Sequence, residues 1–166
     1  QAGASVAWSY ELKVNNGTQD LNQQVPAKPS GTYSFTISSK RYKIVNGSVT
    51  SQSEDTTWTT SIPGSPSWIH VEEQSNTLIV TVDENTTTSQ RSADIVIFQT
   101  GSSDTSITLT VEQQAASITW NYTFNIFQPS SKVLNVPAKM IDPDTIVVNS
   151  YRTKVINGTQ TSTKEF

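Results

Sequence analysis

His70 is the one histidine in the chain, and it lies in Ser67-Trp68-Ile69-His70-Val71, just ahead of Glu72-Glu73. A lone imidazole works as a general base only when a hydroxyl and an orienting acid reach it. The neighbouring sequence supplies no such trio. A zinc site would need further nitrogen or sulfur ligands, and the chain has no cysteine and no second histidine. Carboxylates occur as adjacent pairs, Glu54-Asp55 and Glu72-Glu73. Cleavage of a glycosidic bond needs two carboxyl groups facing one cleft, about 5–9.5 Å apart. Neighbours on a strand point to opposite faces, so these pairs are splayed. Asp83-Glu84-Asn85 and Asp142-Pro143-Asp144 offer oxygens of the kind calcium prefers, but neither has the spacing of an EF-hand loop. They read as solvated turn acids. The residues thus point to no catalysis, no metal and no cofactor.

Binding chemistry is the alternative. A flat aromatic ring can stack on the C–H face of a sugar, and Trp8, Tyr10, Tyr33, Phe35, Trp58, Trp68, Tyr122 and Phe124 are available. Most of them alternate in phase with aliphatic residues, which predicts core positions for Trp8 and Trp58 above all. Trp68 follows Pro66-Ser67 and shares a strand face with His70, so these two stay as ligand candidates. Phe98 and Phe127 fall at strand ends and are the aromatics expected to be exposed. Lys40, Arg41 and Lys43 form the basic cluster, echoed by Arg152 and Lys154. They could attract sulfated or sialylated glycans, or simply charge a solvent face against edge-to-edge pairing. The candidate ligand-binding set is therefore Trp68, His70, Phe98, Lys40, Arg41 and Lys43.

Strands must position these residues. Trp8, Tyr10, Leu12 and Val14 share one face, with Ser9, Glu11 and Lys13 on the other. The same period of two runs through Tyr33–Ile37, Tyr42 and Ile44, Trp58–Ile62, Ile69–Val71, Leu78–Val82, Ala93–Ile97 and Ile107–Val111. Asn16-Gly17, Asn46-Gly47 and Pro63-Gly64-Ser65-Pro66 are turn signals. No stretch carries helical spacing over helical length. The pattern predicts an all-β protein, an immunoglobulin-like antiparallel β-sandwich. Val25-Pro26-Ala27-Lys28 cannot be mid-strand in a sheet, so it reads as an edge crossing or a switch between sheets.

The chain also repeats itself. Ala4-Ser5-Val6-Ala7-Trp8-Ser9-Tyr10 returns as Ala116-Ser117-Ile118-Thr119-Trp120-Asn121-Tyr122, an offset of 112. Val25-Pro26-Ala27-Lys28 returns as Val136-Pro137-Ala138-Lys139, and Arg41-Tyr42-Lys43-Ile44-Val45-Asn46-Gly47 as Arg152-Thr153-Lys154-Val155-Ile156-Asn157-Gly158, both offset by 111. Repetition at that period means copies of a domain. The expected organisation is a linker or preceding-repeat tail over 1–5, a complete domain over 6–114 and the N-terminal half of a second copy over 115–166. Residues 118–158 carry Trp120, Tyr122, Phe124, Ile126, Ile146 and Val148 on one-faced strands. These are expected to pack against neighbouring repeats or other protein chains.

Composition fits this reading. Among 166 residues, 34% are hydrophobic and 15% charged, with net charge −3. The mean hydropathy is −0.40 and the pI near 5.0, giving no reason to expect nucleic acid. No apolar run approaches the ~20 residues of a membrane span.

The stretch from Trp58 to Ala115 resembles the BACON family, carbohydrate-binding domains associated with Bacteroidetes. The likeness rests on Trp58, Ser67-Trp68-Ile69-His70-Val71, Leu78-Ile79-Val80-Thr81-Val82 with Asn85, Arg91-Ser92-Ala93-Asp94-Ile95-Val96-Ile97, and Ile107-Thr108-Leu109-Thr110-Val111-Glu112-Gln113. It extends over roughly residues 30–115. The resemblance implies an immunoglobulin-like fold, an extracellular or cell-surface position on a Bacteroidetes bacterium, and binding to glycans such as mucin. A non-catalytic module for adhesion or spacing is the leading expectation. The alternatives are a structural virion protein, a fibre or capsid decoration at the surface of a phage of these bacteria, and an appendage of a surface glycosidase.

Overall fold

The computed structural model describes residues 3–17, 21–102, 105–128 and 146–166; the side chains of Phe127 and Gln128 lie outside the described residues. Backbone contacts divide the chain into Gln1–Ala115 and Ala116–Phe166. The described residues form strands and turns, with no helix.

The first unit holds nine strands: β1 (Val6–Val14), β2 (Leu21–Val25), β3 (Tyr33–Val45), β4 (Ser48–Asp55), β5 (Trp58–Ser61), β6 (Ile69–Gln74), β7 (Thr77–Val82), β8 (Arg91–Gln99) and β9 (Ser106–Gln113). They build two sheets. One runs β1-β3-β7-β6 with β4 also on β3, and the other runs β2-β9-β8-β5. Alternation does what the sequence demands: Leu12, Val14, Phe35, Ile37, Leu78 and Val80 from one sheet meet Ile95, Ile97, Ile107, Leu109 and Val111 from the other in one buried cluster. Each fully buried aliphatic side chain contributes about 1.5–3 kcal/mol. This is the expected β-sandwich, with one departure from an all-antiparallel scheme. β2 runs parallel to β9, from Leu21 opposite Leu109 to Val25 opposite Gln113. The chain then leaves that sheet at Pro26-Ala27 and enters the other as β3, so the proline segment is a sheet switch.

Strand β3 is the spine of its sheet. Its first part, Tyr33–Thr36, pairs with β7. Further along, Lys40–Val45 pairs with β4, while Ile37–Val45 pairs with β1. β2 and β4 have no apolar alternation, and the sequence gives no signal for them. β4 is set by a hairpin instead: Asn46 and Gly47 take φ of 50° and 81°, the left-handed pair that matches the twist of the flanking strands.

Strands that cross between sheets carry carbonyls out of both ladders. Two buried glutamines meet them. Gln113, with 0% exposure, donates from Nε2 to the carbonyls of Pro26 (3.3 Å), Ala27 (3.1 Å) and Asp83 (2.8 Å). Its Oε1 accepts from Arg91 Nε at 2.7 Å. Gln99 donates to the carbonyl of Lys40 and to Thr56 Oγ1 at 2.8 and 2.7 Å, where β4 hands over to β5. Asn85 is equally buried; its side chain donates to the carbonyls of Ser89 and Gln114 and accepts from Thr87. It is a structural plug, so the Asp83-Glu84-Asn85 loop is not a cluster of free oxygen ligands.

The second unit is a sheet of β10 (Ile118–Gln128), β11 (Val147–Ile156) and β12 (Thr159–Glu165), all antiparallel. Its pairings reproduce those of β1, β3 and β4. Trp8 opposes Lys43 and Tyr10 opposes Arg41; Trp120 opposes Lys154 and Tyr122 opposes Arg152. The turn repeats too: Asn46 Oδ1 accepts from Ser5 N at 3.1 Å, and Asn157 Oδ1 from Ser117 N at 3.0 Å. The segment Val136–Lys139 and the acids Asp142 and Asp144 lie outside the described residues.

Two outcomes follow. Gln113→Leu keeps the volume but removes the donor to the Pro26 carbonyl and the acceptor of Arg91 Nε, leaving Ala27 and Asp83 one partner each in Asn85 N and Arg91 Nη2, so the unfolding free energy in urea should fall by about 1–3 kcal/mol, against less than about 0.5 for Gln114→Leu on the exposed neighbour. A loss no larger than that of Gln114→Leu would mean that the amide is not needed. The second concerns acid. Amide hydrogen bonds from Gln24 and Asn22 hold the Glu112 carboxyl below the ordinary 4.5, and the Lys13 ammonium does the same for Glu11. Both folded values lie below the unfolded ones. Their stabilisation is therefore present above 4.5 and is lost as pH falls through the depressed values. Urea midpoints should decline from about pH 4.5 downward, and Glu112→Gln should flatten part of that slope; an unchanged slope in the variant would refute the assignment.

Candidate functional site

The residues singled out from sequence do not come together in one place. Trp68 packs half-buried against the core just ahead of β6. Its ring is covered by the Arg91 guanidinium, 4.5 Å from the centroid. Arg91 also donates to the carbonyl of Asp83 at 2.9 Å, and partial burial pulls its pKa down. That face of the indole is taken. His70 is exposed on β6 and places Nε2 3.3 Å from Asp83 Oδ2. The pair is a surface contact. Phe98 is 39% exposed, on the outward face of β8 between the buried Ile97 and Gln99. More exposed aromatics are Tyr122 at 75%, Phe124 at 66% and Phe166 at 89%, so Phe98 does not lead as expected, while the Phe127 side chain lies outside the described residues.

The basic cluster is divided by the pleat of β3. Arg41 lies over Trp8, 4.1 Å from the ring centroid, and donates from Nε and Nη2 to Glu54 Oε2 at 2.9 and 2.6 Å. That bond holds the guanidinium pKa above its ordinary value. Trp8 therefore departs from the core position expected of it. Its phase is right, since Leu12 and Val14 on the same face are 4% and 1% exposed. The opposite sheet, however, ends at the turn after β8, where Gly101 lies beside Tyr10. Trp8 stands beyond that turn and is covered by Arg41 instead. The stack recurs in the second unit, with Arg152 4.2 Å from Trp120 and 2.8 Å from Glu165.

Lys40 goes elsewhere, to the place where β3 changes partner. Between the end of β7 pairing at Thr36 and the start of β4 pairing at Lys40, the strand edge faces a hollow. Ile37 N donates to the carbonyl of Asn76 and Thr56 N to that of Ser39, closing its two ends. Two adjoining spaces of ≈ 290 Å³ and ≈ 460 Å³ share Asp55, Thr56, Trp58 and Ser75 as lining. Lys40 and Asn76 border the first and Glu73 the second. Trp58, expected in the core, does pack half-buried against it, but its ring also forms a wall here.

The walls are tied. Trp58 Nε1 donates to the carbonyl of Ser75 at 2.9 Å. Glu73 Oε1 accepts from Thr60 N and Oγ1 at 2.6 and 2.7 Å and from Thr59 Oγ1 at 3.2 Å. These bonds bind β5 to the β6–β7 turn. Behind them, Ser39 Oγ and Thr56 Oγ1 lie 2.8 Å apart, and Thr56 Oγ1 also accepts from the Gln99 amide. A fixed indole, two carboxylates, an ammonium, hydroxyls and a carboxamide are the groups that hold a hydroxylated, partly apolar ligand. Sequence reasoning missed Asp55, Thr56, Ser75 and Asn76 because they converge from β4, the β4–β5 crossing and the β6–β7 turn. The one available sign was the nearness of Trp58 to Glu54-Asp55.

Among the described residues no group of three or more His, Asp or Glu could hold a metal ion. No curated protein matches the chain. Residues 51–114 match the family model BACON, described as "Putative binding domain, N-terminal". That span takes in Asp55, Thr56, Trp58, Glu73, Ser75 and Asn76 of the hollow, as well as Gln99 and Gln113. The family model thus meets the resemblance read from Trp58 to Ala115, over residues 51–114.

Proposed function

We propose that the first unit is a non-catalytic, extracellular binding module for adhesion, and that the hollow beside Trp58 takes the non-reducing end of a neutral glycan such as a mucin chain. One observation supports this above the rest: a half-buried indole lies within one hollow with Asp55, Glu73, Thr56, Ser75, Asn76 and Lys40. An indole wall suits the C–H face of a pyranose, and carboxylates and a carboxamide suit its hydroxyls. The charge tells against sulfated or sialylated sugars. Lys40 is one cation against Asp55 and Glu73, so an anion entering the hollow meets net repulsion. The hydroxyl-rich composition agrees with an extracellular setting. The site is shallow, and an affinity on the order of millimolar for a single sugar is what such contact sustains, with avidity coming from multiple copies.

The alternative of a structural fibre or capsid part draws on a different feature, the exposed apolar face of 116–166.

Binding should appear on a glycan array carrying mucin-type and neutral host glycans, with the chain displayed multivalently. Trp58→Ala should reduce the signal at least tenfold, and Asp55→Asn severalfold with the fold intact. Tyr122→Ala should leave it unchanged. An array with no signal, or binding indifferent to both Trp58→Ala and Asp55→Asn, would overturn this reading.

A further inference from the structure

The second unit bares a face that the first unit keeps dry. Phe124, Ile146 and Val148 are 66%, 53% and 51% exposed. Their counterparts at the repeat offset are Leu12, Phe35 and Ile37, at 4%, 5% and 3%. The equivalence is one of register as well as sequence. Leu12 opposes Ser39 and Val14 opposes Ile37; Phe124 opposes Ser150 and Ile126 opposes Val148. The ion pairs at the far end match as well, Arg41–Glu54 and Arg152–Glu165. Two backbones with the same pairing present the same surface.

What covers that surface in the first unit is the β2-β9-β8-β5 sheet, and three of its contacts are specific. The aliphatic stripe Ile95 and Ile97 fills the interface. Gln99 then donates to the carbonyl of Lys40 beside Ser39, positions taken in the second unit by Tyr151 and Ser150. Gly101, at φ 89°, lies against the Tyr10 hydroxyl, a position taken by Tyr122. The face of β10 and β11 therefore carries the imprint of a particular partner.

We propose that this face seats a second β-layer whose hairpin bears the pattern aliphatic-x-aliphatic-x-Gln-x-Gly, as Ile95-Val96-Ile97-Phe98-Gln99-Thr100-Gly101 does in the first unit. Its aliphatic pair covers Phe124 and Val148, its carboxamide donates to the carbonyl of Tyr151, and its glycine turn closes over Tyr122. A second copy of the bare face is a poorer partner, because β10, β11 and β12 carry no aliphatic-x-aliphatic-x-Gln-x-Gly run.

The test is to append a second copy of residues 56–115 directly after Phe166, which occupies the repeat position of Asp55. The extended chain should remain monomeric in sedimentation, show a second cooperative unfolding transition in urea, and lose most of the dye fluorescence that the bare face gives with anilinonaphthalene sulfonate. Phe124→Asp, and separately Gln99→Leu within the appended copy, should weaken or remove the second transition. The first unit's own transition reports in each case that the protein has folded. An appended copy that stays protease-sensitive while the dye still binds would overturn the proposal. So would dimerisation of the 166-residue chain abolished by Phe124→Asp, which would assign the face to a second copy.

Discussion

A strand that leaves one sheet for the other takes its carbonyls away from both ladders, and a dry interior has no water to meet them. The carboxamides of Gln99 and Gln113 resolve that conflict in the first unit. Each sits at the end of an aliphatic stripe, fully inside; Gln113 reaches the carbonyls of the Pro26-Ala27 crossing, and Gln99 reaches the Thr56 hydroxyl at the β4–β5 crossing and the Lys40 carbonyl of β3 beside it. An unmet buried carbonyl destabilises by about 1–3 kcal/mol, comparable to a whole buried aliphatic side chain. The apolar stripes close the sandwich, and the amides determine where the chain may pass between its layers.

The hollow beside Trp58 is a consequence of those crossings. β4 departs at Asp55, Gln99 fixes Thr56 behind it, and β5 begins at Trp58 in the opposite sheet. The β6–β7 turn arrives from the other side, held by the Trp58 indole and Glu73. Groups from four parts of the chain converge because β3 has just exchanged one partner for another. The Trp58, Glu73 and Thr56 side chains are ordered by bonds they make to protein, so little of their conformational freedom is left for a ligand to restrict.

Much of the fold was legible in the sequence. Where one face of a strand is buried, period-two alternation had to appear, and β1, β3 and β5 through β9 were found that way. β2, β4 and β12 were not, because edge strands rich in polar residues are held by backbone pairing, turns and polar side-chain bonds, which leave no period-two apolar pattern. Trp8 shows the limit of phase: it lies on the inward face of β1, yet the opposing sheet stops short of it, and strand length across the sandwich cannot be read from alternation. Gln99 and Gln113 continue the inward phase of Ile95-Ile97 and Leu109-Val111, so their burial was readable in principle from position. Their carbonyl partners were not, since those lie far off in sequence. The hollow was hidden for the same reason. Of the residues chosen from sequence for binding, Lys40 borders it, while Trp68, His70, Phe98, Arg41 and Lys43 lie elsewhere.

The central claim is that recognition lives at this seam between the sheets. Nuclear magnetic resonance tests it most directly, by titrating the isotope-labelled chain with neutral oligosaccharide and following the four tryptophan indole signals together with the backbone amides. The account predicts shifts concentrated at the Trp58 indole and the amides of Asp55, Thr56, Ser75 and Asn76. Shifts centred instead on Trp68 and His70, on Phe98, or on Tyr122 and Phe166 would contradict it.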